Sequence, residues 1–250
     1  MSPAEAVAIL AAGGAAGTVN TIVGSGTLIT FPVLLGLGYS PVTANVSNTI
    51  GLVPGSLSGA YGYRAELGGQ GRRTMRLGIP SLVGGIIGAV LLLTLPESAF
   101  KRIVPVFIAA ALVLVVVQPW LTRRLARWHD HPVHARGVIP ICLFAIGVYG
   151  GYFGAAQGIL ILGLLGITLS DPLQRINAIK NVLAALTNAV AGLVFLVAAQ
   201  HVSWAAAGLI AVGSTLGGQL GARVGRRLPE PALRGLVVAV GFAAILKLTL

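Results

Sequence analysis

Gly84-Gly85-Ile86-Ile87-Gly88-Ala89, followed by Leu95-Pro96-Glu97, returns 133 positions later as Gly217-Gly218-Gln219-Leu220-Gly221-Ala222 and Leu228-Pro229-Glu230. Two blocks held in one register are a poor product of chance, even in a chain with 35 glycines. Working outward extends the match: Gly14, Gly17, Asn48 and Gly59 recur at the same offset as Gly147, Gly150, Asn181 and Gly192, while Gly26 and Asn45 recur one position earlier, as Gly158 and Asn177. Residues 13–111 thus correspond to 146–244, and the chain consists of two related halves.

What the halves are made of decides their environment. Hydrophobic residues make up 56% of the 250 positions and charged residues 9%, with a mean hydropathy of +0.90, which leaves too little polar surface for a soluble shell. The apolar runs, among them Leu77 to Leu95, Ile103 to Val117, Val182 to Ala199, Ala205 to Leu220 and Leu233 to Leu246, approach the roughly 20 residues an α-helix needs to cross a bilayer. Glycine pairs four apart, such as Gly84 and Gly88, Gly147 and Gly151, or Gly217 and Gly221, let helices approach closely. The expectation is an all-α integral membrane protein whose partners include the lipid bilayer.

Seventeen Lys and Arg against six Asp and Glu give a net charge of +11. The basic residues fall between the apolar runs, at Arg64 to Arg76, Arg123 to Arg136 and Arg223 to Arg234, without interleaved aromatic platforms, so they read as orientation signals rather than as a nucleic-acid surface. Their distribution sets the sign of the repeat. Arg64, Arg72, Arg73 and Arg76 against Glu66 give the first loop a net +3, whereas its counterpart around His201 carries no formal charge. The next pair reverses: Glu97, Lys101 and Arg102 give a net +1, and Arg223, Arg226, Arg227 and Arg234 against Glu230 a net +3. Equivalent loops with exchanged charge lie on opposite sides of the membrane, which makes the halves inverted. The expected organisation is a first membrane repeat over 1–121, a cytoplasmic basic linker over 122–136 and a second, inverted repeat over 137–250, with both termini outside. The N-terminus has no basic n-region, so the first apolar segment is expected to be retained.

Each half reads as a glycine-rich pair of segments followed by three transmembrane helices, approximately 41–63, 76–95 and 99–121, then 174–200, 203–223 and 230–250. The pairs cover about 4–38, turning at Gly24-Ser25-Gly26, and about 138–169, turning near Gln157-Gly158. Pieces such as Thr27 to Gly38 and Ile159 to Leu169 are too short to span untilted, so they either tilt or form re-entrant hairpins. Irregular backbone at membrane depth is tolerated only where protein buries it or water reaches it, and broken segments at matching places of two inverted halves point to a substrate site. Helix N-termini at such breaks suit an anion, with hydroxyl donors from Ser25 and Thr27, although the glycines also serve tight packing.

Asn45 and Asn48 lie three apart, and Asn177 and Asn181 four apart, so each pair shares one helix face. Uncharged amides hold an oxyanion without trapping it; they also serve as interhelical glue. Lys180, beside Asn181, either reaches the cavity or snorkels to the interface. Arg175 reads as a funnel charge or a topology marker, and Asn20, Ser47, Ser56, Thr187 and Asn188 are further wall candidates. All six acidic residues, Glu5, Glu66, Glu97, Asp130, Asp171 and Glu230, fall at termini or loops, leaving no intramembrane carboxylate as a proton relay. Neither a phosphate-binding loop nor a cofactor motif is present. The single cysteine, Cys142, permits no intrachain disulfide. His129-Asp130-His131-Pro132-Val133-His134 reads as a solvated connector rather than a metal site, because Pro132 breaks the helix that would align ligands.

The run Gly13-Gly14-Ala15-Ala16-Gly17 through Gly24-Ser25-Gly26, then Pro32, Gly36 and Ala44-Asn45, together with the second-half block ending in Leu228-Pro229-Glu230, resembles the TauE/SafE sulfite-exporter family over nearly the whole chain. The resemblance implies a permease for sulfite or another sulfur-containing anion such as an organosulfonate, in a bacterial inner membrane, with seven or eight spanning segments. The chain departs from the family at Ala156-Gln157-Gly158, where a glycine-rich turn is more usual, so Gln157 is expected to offer a side-chain donor there. The candidate substrate residues are Gly24, Ser25, Gly26, Thr27, Asn45, Asn48, Gln157, Gly158, Asn177, Lys180 and Asn181. An anion channel and a membrane scaffold are the alternatives, a homo-oligomer is compatible with either, and a membrane enzyme ranks last because no acid/base pair or nucleophile set lies within the apolar segments.

Overall fold

The computed structural model describes residues 1–128 and 137–224, and these fold into nine α-helices and one 3-10 turn. In order they are α1 (Pro3–Ile22), α2 (Thr27–Gly36), α3 (Pro41–Gly62), the 3-10 turn Arg64–Leu67, α4 (Gly71–Thr94), α5 (Glu97–Trp128), α6 (Val138–Tyr152), α7 (Gln157–Thr168), α8 (Leu173–Ala198) and α9 (Trp204–Val224). Five helices are long and apolar enough to cross a membrane: α1, α4, α5 up to Gln118, α8 and α9. Helices α2, α6 and α7 are apolar but shorter. Helix α3, with 22 residues, is as long as a spanning helix but carries Asn45, Ser47, Asn48, Ser56 and Ser58. The predicted helix 230–250, the His129 to His134 segment and the Leu228-Pro229-Glu230 block lie outside the described residues.

Local sequence explains where helices start and stop. Ser2 and Glu5 form a reciprocal capping box, with Ser2 N–H on Glu5 Oε2 at 2.8 Å and Glu5 N–H on Ser2 Oγ at 3.3 Å, and Pro3 occupies the first helical position. Ser40 caps α3 ahead of Pro41 with a single bond, its Oγ accepting from Thr43 N–H at 3.3 Å. Helix α1 ends where Gly24 turns to φ +87° and its N–H reaches back to Val19 O at 3.1 Å. Gly154, at φ +74°, closes α6 alike by donating to Tyr149 O at 3.1 Å.

Two boundaries differ from the sequence expectation. Helix α5 does not stop at 121 but continues to Trp128, because residues 122–128 are rich in Arg, Leu and Ala and contain no breaker. The second turn lies at Phe153-Gly154-Ala155-Ala156, and Gln157 and Gly158 open α7 instead of forming the bend.

Glycine contacts fix the arrangement. A Cβ on Gly213, Gly217 or Gly221 would strike the backbone of Leu10, Gly14 or Thr18, so α9 runs alongside α1 in the same direction. Gly51 faces Ile210, Gly55 faces Ser214 and Gly62 faces Ala222, which adds α3 as a third parallel member. On the other side Gly84 meets Phe144, Gly88 meets Val148, and Gly78 and Gly85 meet Leu186 and Val190, so α4, α6 and α8 form a second parallel trio. Ser56 pairs with Asn188 while Val53 meets Gly192, which sets α3 and α8, and with them the two trios, antiparallel. The fourth helix of one half has thus joined the trio of the other. Helices α2 and α7 fold back on α1 and α6, so each glycine-rich pair is a hairpin with both ends at one end of the bundle.

The two ends differ in charge. Tyr63 packs with Ala178 and Ala222, and Asp171 bridges Arg73 (2.6 Å) and Arg175 (3.2 Å), which gathers Arg64, Arg72, Arg73, Arg76, Arg175 and Arg223 at one end. At the opposite end Ser203 N–H donates to Ser47 Oγ at 2.9 Å beside Glu97, Lys101, Arg102 and His201. Between them the outer surface is apolar, with Ile79, Val83 and Val90 on α4, Val106, Val113 and Val116 on α5, and Leu193 and Val197 on α8 all exposed, as lipid contact requires.

Candidate functional site

The two hairpin turns meet in the middle of the bundle. Gly158 N–H donates to Gly24 O at 3.1 Å, and a Cβ added to either glycine would lie 2.5 Å from the Cα of the other. Only two glycines permit that approach. The junction places the first turns of α2, beginning at Thr27, and of α7, beginning at Gln157, next to each other; the N–H groups of Leu28, Ile29, Gln157, Gly158 and Ile159 are closed by turn carbonyls, so what the two helices bring together is the positive end of each dipole.

Side chains add donors at the same place. Ser25 Oγ and Gln157 Nε2 are buried, the residues being 1% and 3% exposed, and neither has a hydrogen-bond partner among the described residues. Unpaired polar atoms inside an apolar bundle are costly, by about 1–3 kcal/mol each, unless a ligand or water satisfies them. Gly150 makes room for the Gln157 amide, since a Cβ there would sit 2.3 Å from Gln157 Cδ. Ala156 precedes it at φ 59°, left-handed for a non-glycine residue, which turns α7 toward the junction. Tyr149 steadies the turn through its O–H on Ala155 O at 2.5 Å. Phe31, Phe100, Phe107, Tyr149, Tyr152 and Phe153 pack edge to face around it at 5.2–6.1 Å.

Three of the four asparagines cross from a long helix to a broken one. Asn48 Nδ2 donates to Thr27 Oγ1 at 3.3 Å while Thr30 Oγ1 donates to Asn48 Oδ1, so this amide is used up in orienting the start of α2. Asn45 Nδ2 donates to Tyr152 O at 2.9 Å, and its Oδ1 has no partner among the described residues. Asn181 Nδ2 donates to Thr21 O at 3.2 Å. Asn177 Oδ1 is buried and has no partner among the described residues. Lys180 is completely buried rather than snorkelling, and its Nζ donates to Asn20 O at 3.3 Å and Thr21 O at 3.2 Å.

The predicted residues therefore divide. Gly24, Ser25, Gly26, Thr27, Gln157 and Gly158 form the junction itself, Asn45, Asn48, Lys180 and Asn181 reach its two hairpins from α3 and α8, and Asn177, one turn before Asn181, makes no hydrogen bond to them among the described residues. Among the weaker candidates, Asn20, Ser56 and Asn188 form a polar chain, with Asn20 Nδ2 and Asn188 Nδ2 both on Ser56 Oγ at 3.3 and 2.9 Å. Ser47 and Thr187 serve packing, on Ser203 N–H and on the Ser81 and Leu183 carbonyls. Arg175 is held by Asp171 at the basic end and is no part of the junction. Sequence reasoning missed Tyr149, Tyr152 and Phe153. Their signal was an asymmetry of the repeat, since at the offset of 133 they stand where the first half has Ala16, Val19 and Asn20. A cavity of about 290 Å³ opens at the end opposite the basic one, lined by Ser40, Thr43, Val46, Glu97 and His201 among others, and Val46 follows Asn45 in the chain.

A helical bundle that clothes itself in apolar side chains and keeps unpaired neutral donors at broken helices in its middle has the build of a membrane transporter. The chain belongs to the sulfite exporter TauE/SafE family, whose model matches residues 9–248. It is 27% identical over 238 residues to the "Probable membrane transporter protein YfcA" of Escherichia coli strain K12, an alignment covering 93% of this chain and 85% of the relative. It is 27% identical over 232 residues to a "Probable membrane transporter protein" of Haemophilus influenzae, covering 92% and 89%, and 26% identical over 235 residues to the "Probable membrane transporter protein ORF9" of a Sinorhizobium species, covering 93% and 88%. No solved structure matches the chain significantly.

Proposed function

We propose that this transporter is a permease that exports a small sulfur-containing oxyanion, sulfite or an organosulfonate, across the cytoplasmic membrane. The observation that carries the reading is the convergence of two short-helix N-termini at Gly24 and Gly158, with Ser25 Oγ and Gln157 Nε2 buried beside them and unpaired. These are donors without charge, which favour an oxyanion and still release it. The family description supports the sulfur chemistry. An anion leaving a cell with a negative interior gains about 2.3 kcal/mol per charge per 100 mV, so the substrate gradient and membrane potential suffice as driving force.

The architecture in this proposal is a pair of inverted repeats, 1–121 and 137–250, joined by the basic linker 122–136. The exchange of α4 and α9 between oppositely directed trios supports it, because corresponding helices of the halves then run in opposite directions. The gathering of arginines at one end supports placing that end in the cytoplasm and both termini outside, the excess charge addressing lipid headgroups rather than nucleic acid.

Flux into or out of proteoliposomes tests the function. With the potential set by potassium and valinomycin, saturable and potential-sensitive movement of sulfite or a short organosulfonate is expected, with chloride and sulfate slower. Folded protein that moves none of these anions faster than empty liposomes would overturn the assignment, and non-saturating flux would replace the permease by a channel.

A further inference from the structure

We infer that the Lys180 ammonium occupies the cation position at the broken end of α1, so that a charge fixed to the protein stands where a soluble coupling cation would otherwise bind. The inference rests on the transport reading above and concerns how that transport is coupled.

The last carbonyls of a helix have no intrahelical donor and form its negative end. In transporters built on interrupted helices, such ends are where sodium or a proton is coordinated. At the end of α1 the capping glycine covers only Val19 O, through the N–H groups of Val23 and Gly24. The next carbonyls, of Asn20 and Thr21, accept from Lys180 Nζ, and Thr21 O also from Asn181 Nδ2. Lys180 is fully buried, and among the described residues none of the ion pairs involves it. Its charge is met by carbonyl dipoles, as an alkali ion's would be. An ammonium has three donor hydrogens, so two carbonyl contacts leave one for a third acceptor in the adjoining site. The corresponding position of the first half, by the offset of 133, is Ser47, which is engaged with Ser203 instead. The fixed cation is thus a feature of one half only, and it lies against the hairpin that carries Ser25.

The consequence is transport that needs no sodium and a site that becomes open to soluble cations once the ammonium is removed. Two substitutions separate charge from volume. Lys180→Ala leaves a space lined by the Asn20 and Thr21 carbonyls, and Lys180→Met fills it with an apolar chain. Proteoliposome flux of sulfite or a short organosulfonate is measured for each, with sodium, methylammonium or choline as the only added cation. Wild type is expected to transport equally in sodium and choline. Both variants are expected to lose about tenfold in flux, the scale of one charge-assisted hydrogen bond. Sodium or methylammonium should restore Lys180→Ala in part and leave Lys180→Met unchanged. Thermal unfolding in detergent supplies a readout independent of transport: methylammonium should raise the Tm of Lys180→Ala and not that of wild type. Sodium-dependent flux in wild type, or full flux from Lys180→Met in choline, would overturn the inference while leaving the permease intact. If no variant and no wild type moved the anions, the transport reading would fail, and a Tm of Lys180→Ala indifferent to every cation would still refute the cation position on its own.

Discussion

At the end of α1 an ammonium and an amide, Lys180 and Asn181, cover the carbonyls of Asn20 and Thr21; at the end of α6 a single neutral amide, Asn45, covers that of Tyr152. Both breaks begin with a left-handed glycine that donates back into its helix, Gly24 to Val19 and Gly154 to Tyr149. Both then start a short returning helix at the same junction. The two breaks share the backbone device and differ in polar chemistry: one hairpin faces the amine of Lys180, and the other is wrapped in aromatic rings and carries Gln157. The two sides of the junction are thus chemically unequal although their backbone turns are alike.

The largest expected effect tests what the two breaks share. Gly24→Ala places a Cβ 2.5 Å from Gly158 Cα at a residue with φ +87°, with backbone on both sides and no side chain to move. A loss of about 3 kcal/mol or more is expected, enough to prevent accumulation of monodisperse protein on size-exclusion chromatography, and Gly158→Ala should behave alike. Full stability in both would show that the hairpins do not meet as described.

Asn45→Ala sharpens the difference between the breaks. It strips the Tyr152 carbonyl of its donor in an apolar interior, at a cost of about 1–3 kcal/mol in thermal unfolding, and no added cation should repair it, in contrast to Lys180→Ala. Asn181→Ala should cost less, about 1 kcal/mol, because Thr21 O keeps its bond from Lys180. An Asn181 variant more damaged than the Asn45 variant would reverse the ranking of the two ends. The smallest effect is a gain. Ala156→Gly removes the left-handed strain that the second break carries outside its glycine, and a stabilisation of about 0.5–1 kcal/mol, read as a raised Tm, is expected.

Much of this was legible in the chain. The apolar runs announced the helices, and Gly24-Ser25-Gly26 and Gln157-Gly158 lie on the two sides of the junction. The second bend was misplaced for an instructive reason. Gly158 aligns with Gly26 and reads as a turn residue, yet it is in α7 and is small because Gly24 presses on it. The turn's own glycine, Gly154, was hidden among its neighbours in a glycine-rich run. The exchange of α4 and α9 between trios was not legible, since periodicity says which face of a helix is buried but not against which partner. The environment of Lys180 depends on that same long-range packing: its partners lie 159 and 160 residues away, and no local pattern relates them.

The most direct test of the junction as the substrate site is the concentration dependence of anion flux for a Ser25→Ala, Gln157→Leu double variant, chosen to remove both unpaired donors while keeping the bundle filled. A KM raised by about tenfold or more with thermal stability equal to or above wild type is the predicted result, since neither donor has a partner among the described residues. An unchanged KM in the folded double variant would place the anion elsewhere and contradict the account.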